Sequence, residues 1–118
     1  MRSVNLKRSI CPITNLLDIV GDKWTLIVIR DLFLGKRRYA EFINSKEKIP
    51  TNILADRLTR IEEFDLVTKI PYQTNPLRFE YSLTEKGKAL EPVLNEMAKW
   101  GLRHVKGTKL FPKVLPET

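Results

Sequence analysis

Five side chains between Ile49 and Leu66 have the types and spacing for recognition chemistry: Thr51, Asn52, Asp56, Thr59 and Arg60. An asparagine amide can pair bidentately with adenine, and an arginine guanidinium with guanine. Hydroxyls and cations of this kind also reach phosphate. Wound at 3.6 residues per turn, the five lie away from an apolar stripe of Leu54, Leu58 and Ile61, flanked by Ile53 and Phe64. The polar face turns acidic only at Glu62 and Glu63, where a helix docked by its N-terminal half would be leaving a groove. An ordinary surface helix is the competing reading, and Asp56 and Arg60, four residues apart, could simply pair with each other. Arg57 falls at the edge of the buried arc, which predicts a packed, paired arginine bracing the helix, with Glu41 as a candidate partner.

Other candidates are scattered. Lys36, Arg37 and Arg38 form a basic run that suits phosphate contact or, equally, a solvated charge cluster. Arg78 stands in a turn, Gln73–Arg78, where a minor-groove or backbone contact is the functional reading. Cys11 is the only cysteine, so no intramolecular disulfide can form and a reducing compartment is expected. It can be a small buried hydrophobe. It also lies near Lys7 and Arg8 and at a helix start, both of which lower a thiol pKa. Catalysis finds no support: His104 is the one histidine, and no metal spacing, phosphate loop, nucleophile motif or cofactor cradle accompanies it. Trp24, Tyr39, Phe42, Tyr81 and Trp100 sit on apolar faces and read as core rather than base-stacking groups.

The elements that must position these groups can be read in order. Residues 1–10 read as a flexible, basic arm. Pro12 opens a helix with Ile13, Leu16, Leu17 and Val20 on one face, closed by Gly21. Asp22 can cap a second helix, Trp24–Leu34, which is apolar nearly all round, as a core helix is, and stops at Gly35. A short helix is expected at Tyr39–Ile43, then a turn over Asn44–Pro50. Thr51 is the expected N-cap of the fourth helix, with Pro50 in the approach. Beyond it the period changes. Leu66–Tyr72 and Phe79–Leu83 read as two strands of a hairpin around Asn75, Pro76 and Arg78. Thr84 caps a last helix carrying Leu90, Val93, Leu94, Met97 and Trp100, in which Pro92 forces a kink or a late true start. Residues 106–118 read as an irregular tail, which leaves residues 11–105 as the folded domain.

Short helix, turn, amphipathic helix and basic hairpin, in that order, describe a winged helix-turn-helix: an α+β fold, mainly helical. One helix crosses the backbone, the next enters the major groove, and the wing reaches the flanking groove or phosphates. The composition agrees. The chain has 118 residues, enough for one domain, with 42% hydrophobic and 30% charged residues and a net charge of +7. Such a charge favours a polyanion: nucleic acid first, a membrane surface second. Lys36 to Arg60 holds seven basic residues against three acidic ones, but the tail after Lys99 is basic too. No apolar run approaches the roughly 18–20 residues that span a bilayer, and the N-terminus has no signal-peptide core, so a cytoplasmic protein is expected. A winged helix that binds another protein is the alternative to a DNA binder, and double-stranded RNA a weaker third; steep salt dependence would mark the DNA binder.

The segments CPITNLLDIVGDKWTLIVIRDLFLGKRRYAEF, IPTNILADRLTRIEEFDLV and RFEYSLTEKGKAL resemble the HxlR-type family of bacterial winged-helix transcription regulators, related in fold to MarR-like regulators. The likeness covers about residues 11–101. It rests on the Cys-Pro opening, Gly-x-Lys-Trp, Arg-Tyr-x-Glu-Phe, Thr-Asn-x-Leu-x-x-Arg-Leu and Tyr-Ser-Leu-Thr-x-x-Gly. The resemblance implies a homodimer on a two-fold-related double-stranded DNA operator, most simply as a repressor. It implies N- and C-terminal helices pairing the subunits, through Ile13, Leu16 and Leu17 from one and Leu94, Met97 and Trp100 from the other. From the residues themselves, no cofactor and no metal are expected. Some members use an N-terminal cysteine to sense oxidants or electrophiles. With one cysteine, Cys11 could do so through an intersubunit bridge, a small-thiol adduct or alkylation.

Overall fold

A computed structural model describes residues 7–110. Six helices and one two-stranded antiparallel sheet follow in the order α1 Pro12–Val20, α2 Thr25–Phe33, α3 Tyr39–Ile43, α4 Thr51–Glu63, β1 Val67–Thr74, β2 Leu77–Leu83, α5 Glu85–Lys88 and α6 Glu91–His104. This is the winged helix-turn-helix that the element order implies. Residues 7–10 and 106–110 hold no helix or strand. The rest of the expected arm and tail, residues 1–6 and 111–118, lies outside the described residues.

The core is built where the apolar stripes meet. Val28, Ile29 and Leu32 of α2, Phe42 of α3, and Leu54, Leu58 and Ile61 of α4 are all buried, with Leu66 and Val67 closing the side next to the wing. Removing one such side chain costs about 2–5 kcal/mol. α2 is the core helix expected from its composition, but one charge goes in with it. Asp31 is 2% exposed. It is neutralised by Arg30 at 2.8 Å and Lys36 at 3.4 Å. Arg30 also forks onto both carboxylate oxygens of Glu47, at 2.8 and 2.9 Å. That geometry ties α2 to the turn before α4.

Two expectations at helix starts change. Thr51 is the first residue of α4 rather than its cap; Pro50 occupies the cap position and no side chain caps the helix. Proline fixes the extended entry, so the hydroxyl of Thr51 is left on the surface. Pro92 marks the late true start: α6 begins at Glu91, and Thr84 caps the separate short helix α5 by accepting the Gly87 amide at 3.0 Å.

The Thr84–Gly87 corner also closes α4. Asp65 takes a left-handed conformation (φ 65°) just past the helix. Leu66 N–H donates back to Ile61 O at 2.8 Å, which satisfies an end carbonyl. Thr84 Oγ1 donates to Asp65 O at 2.7 Å, and Lys86 Nζ donates to Phe64 O at 2.8 Å. Gly87 is buried against the Leu66 carbonyl, where a Cβ would stand only 2.2 Å from the oxygen. The Thr-x-x-Gly spacing therefore has a steric reason.

Candidate nucleic-acid interface

The first nine residues of α4 present Thr51, Asn52, Asp56 and Thr59 to solvent, as expected, with Ala55 exposed between them. Ala55 was not legible as a contact because it has no polar group, but a methyl on this face suits a thymine methyl. Thr59 Oγ1 donates to Ala55 O at 3.1 Å, leaving its oxygen lone pairs outward. Tyr39 from α3 donates its hydroxyl to Thr51 O at 2.6 Å and so fixes the start of α4 against the preceding helix.

Arg60 is not on that face. Its Nε donates to Ile19 O at 3.0 Å and its Nη2 to Asp18 O at 2.8 Å, both carbonyls of the last turn of α1. These are acceptors that a helix end leaves unsatisfied. Neither the base-contact role nor the Asp56 pair expected for Arg60 is what the geometry shows. Asp56 instead pairs with Arg57. Arg57 is packed and paired as expected from its place on the wheel, but its second partner is Asp22 rather than Glu41: Nε to Oδ2 is 2.8 Å. The same carboxylate accepts the Trp24 and Thr25 amides at 3.0 and 3.1 Å and the Thr25 hydroxyl at 2.5 Å. Burial pushes the Asp22 pKa up, yet the Thr25 hydroxyl, Arg57 and the Trp24 amide together hold it well below the usual carboxylate range.

Glu41 serves locally. It accepts the Arg37 and Arg38 amides at 2.7 and 3.0 Å, which caps α3 and lowers its pKa. The basic run before α3 is largely engaged. Lys36 serves Asp31, and Arg37 Nη1 donates to Leu32 O and Lys36 O, both at 2.9 Å. Arg38 pairs with Glu80 at 2.9 Å and lies 3.7 Å over the Tyr72 ring. Tyr81 N–H donates to Arg37 O at 2.8 Å, so this segment runs beside the wing almost as a third strand. A phosphate would have to compete with Glu80 for Arg38.

The wing is longer and its turn tighter than the sequence suggests, because Thr74 and Leu77 pair and only Asn75 and Pro76 connect the strands. Arg78 therefore stands in β2 opposite Gln73 rather than in the turn, still exposed and without a side-chain partner among the described residues. Lys48 is not among the candidates singled out from the sequence. It lies in the turn before α4 with φ 57°, exposed and likewise unpaired; its place between two helices was the available signal. Arg78 and Lys48 are thus exposed cations not committed elsewhere among the described residues.

Residues 19–109 match the HxlR-like helix-turn-helix family. The chain belongs to that family. It is 38% identical over 94 residues to the HTH-type transcriptional regulator YdeP of Bacillus subtilis, covering 80% of this chain and 73% of YdeP. Among solved structures, the reduced form of the redox regulator HypR superposes with a TM-score of 0.74 at 33% identity, over 81% of this chain and 95% of HypR. The reduced transcriptional regulator YodB of B. subtilis does so with a TM-score of 0.68 at 28% identity, over 86% of this chain and all of YodB. This HxlR-type chain is thus a DNA-binding transcription regulator.

The remaining candidates lie away from α4. Ile13 and Leu17 on α1 are 70% and 53% exposed, and Met97 and Trp100 on α6 are 52% and 63% exposed. Leu16 and Leu94, expected in the same apolar surface, are partly buried against the core. Trp100 is not core; its ring stacks on His104 with centroids 4.9 Å apart. Cys11 occupies the N-cap of α1 and is half-buried. Its thiol makes no full capping bond, but the Thr14 amide and hydroxyl and the Ile13 amide face it and lower its pKa. Among the described residues no helix is long and apolar enough to cross a membrane, and no cluster of metal-ligating side chains occurs.

Proposed function

We propose that the protein acts as a cytoplasmic homodimer that represses transcription by occupying a two-fold-related operator. The observation that carries this reading is the division of α4. Thr51, Asn52, Ala55, Asp56 and Thr59 are exposed over its first nine residues, while Arg57 and Arg60 hold its other side to α1 and the α1–α2 turn. Asn52 reads a base edge, and Thr51 and Thr59 reach phosphate or base. Asp56 accepts from a cytosine amino group. Arg78 and Lys48 meet phosphates beside the groove, with Arg38 joining them if it leaves Glu80.

The exposed apolar residues of α1 and α6 would be covered by the same residues of a second subunit, placing two α4 helices about 34 Å apart in successive major grooves. Bound there, the dimer competes with polymerase. Cys11 supplies an oxidant or electrophile input. Its thiolate is favoured at the α1 N-terminus, and the neighbours HypR and YodB have been solved in reduced and in oxidised or diamide-treated forms. As the single cysteine it would respond by an intersubunit bridge, a small-thiol adduct or alkylation.

Selection of bound genomic fragments, with and without diamide, tests the reading. The expected product is a palindromic site bound by a dimer with an affinity that falls steeply as salt rises. Binding to no promoter fragment removes it. An operator affinity that diamide leaves unchanged removes the Cys11 input alone.

A further inference from the structure

We propose that Arg60, with Arg57, is a positioning latch that fixes the recognition helix to the dimerisation helix and so sets the half-site separation the protein accepts. The inference rests on the dimeric operator reading above. α4 packs mainly on α2, α3 and β1. Its polar ties toward α1 include the two guanidinia. Arg60 donates two hydrogen bonds to the Asp18 and Ile19 carbonyls, and Arg57 one to Asp22, immediately after α1 ends. These three bonds hold one rigid end of α1.

The other face of α1, with Ile13 and Leu17, is exposed and would meet the second subunit. A tilt of α4 relative to α1 therefore changes the distance between the two recognition helices of a dimer, and the latch opposes that tilt. Arg60 suits this work better than lysine would, because a planar fork satisfies two adjacent carbonyls at once. Asp18 is steadied in turn from outside: Arg8 reaches its carboxylate at 2.8 Å. The apolar stem of Arg60 can be kept while its donors are removed, so packing and latch are separable.

The test compares the full-length protein with Arg60→Met and Arg60→Lys on duplexes whose half-sites are moved by one and two base pairs. Dimer mass, thermal melting and the salt slope are recorded for each. Wild type should prefer one separation by about tenfold or more. Arg60→Met should remain a folded dimer, lose about tenfold at the preferred separation, and discriminate the shifted sites by no more than about threefold. Its salt slope should match wild type, because no phosphate contact is lost, and Arg60→Lys should restore part of the discrimination.

Should Arg60→Met fail to fold, Asp22→Asn on the same duplexes loosens the latch from its other end and should show the same broadening. Intact separation preference in these variants overturns the latch. So does a salt slope shallower by about 0.9, which would make Arg60 a phosphate contact. A wild-type protein that binds specific DNA without regard to half-site separation removes the two-fold reading, and the latch falls with it.

Discussion

Arg57 Nε lies 2.8 Å from Asp22 Oδ2, which joins the middle of α4 to the turn between α1 and α2. Asp22 also accepts from the first amides of α2, so one carboxylate organises two helices. Its pKa is depressed in the folded state. Stability from it is therefore present above the unfolded value, near about 3.9, and is lost as pH falls through the lower folded value. Asp22→Asn should destabilise the protein by about 1–3 kcal/mol at pH 7, with the deficit shrinking below about pH 4. Urea unfolding of both proteins at pH 7 and pH 3 checks this, and a deficit that does not change with pH would contradict it.

Gly87 offers a steric test. An added Cβ would stand 2.2 Å from the Leu66 carbonyl oxygen, a backbone atom that cannot swing aside. Gly87→Ala should lower stability by about 1–3 kcal/mol by prising α5 from the end of α4. Gly101, with open space around its Cβ position, is the control. Equal unfolding midpoints for the two alanine variants would show the close approach to be unimportant.

Much of this was legible in the chain, and the failures have physical reasons. Leu54, Leu58 and Ile61 sit where the helical period puts them, and Pro92 starts α6 because proline suits a first turn and not an interior. The position of Arg57 on the wheel showed that it would be braced, but not by what. Asp22 lies 35 residues away, and periodicity says nothing about how helices cross. The same gap hid Arg60, whose acceptors are backbone carbonyls and leave no mark in side-chain composition. Asn-Pro in the sequence suggests a longer loop, with Arg78 in it, than the two residues the strand register leaves. Ile13, Leu17, Met97 and Trp100 stay on the surface because an apolar stripe does not declare whether its own chain or a second one covers it.

Cys11 should titrate early. The Thr14 amide and hydroxyl and the Ile13 amide lower its pKa, so the thiolate persists to lower pH than in a free thiol. Alkylation by iodoacetamide should therefore rise with pH around a midpoint below that of a free thiol. Mass spectrometry of pulse-labelled protein across pH 5–10 measures it. A midpoint at or above the free-thiol value would make Cys11 an ordinary surface thiol.

The wing separates charge from readout. Arg78→Ala should leave folding unchanged, weaken all DNA sequences alike, and shallow the salt slope by about 0.9 per subunit. Arg38→Ala removes an exposed pair with Glu80 and the stack on Tyr72, so it should alter stability by no more than about 1 kcal/mol. Titrations of a selected site and a scrambled duplex at several salt concentrations test both. A sequence-dependent loss for Arg78→Ala would move that side chain into base readout.

The central claim is that the exposed N-terminal half of α4 reads sequence, and Asn52 is its most exacting test. The measurement is the base preference at every operator position for wild type and Asn52→Ala, by competitive binding to a library of single-base variants. Wild type should favour one base at a symmetric pair of positions by about 1–3 kcal/mol, and Asn52→Ala should lose that preference there while keeping the rest. A uniform weakening across all positions, with every preference intact, would contradict the assignment of α4 as the reading helix.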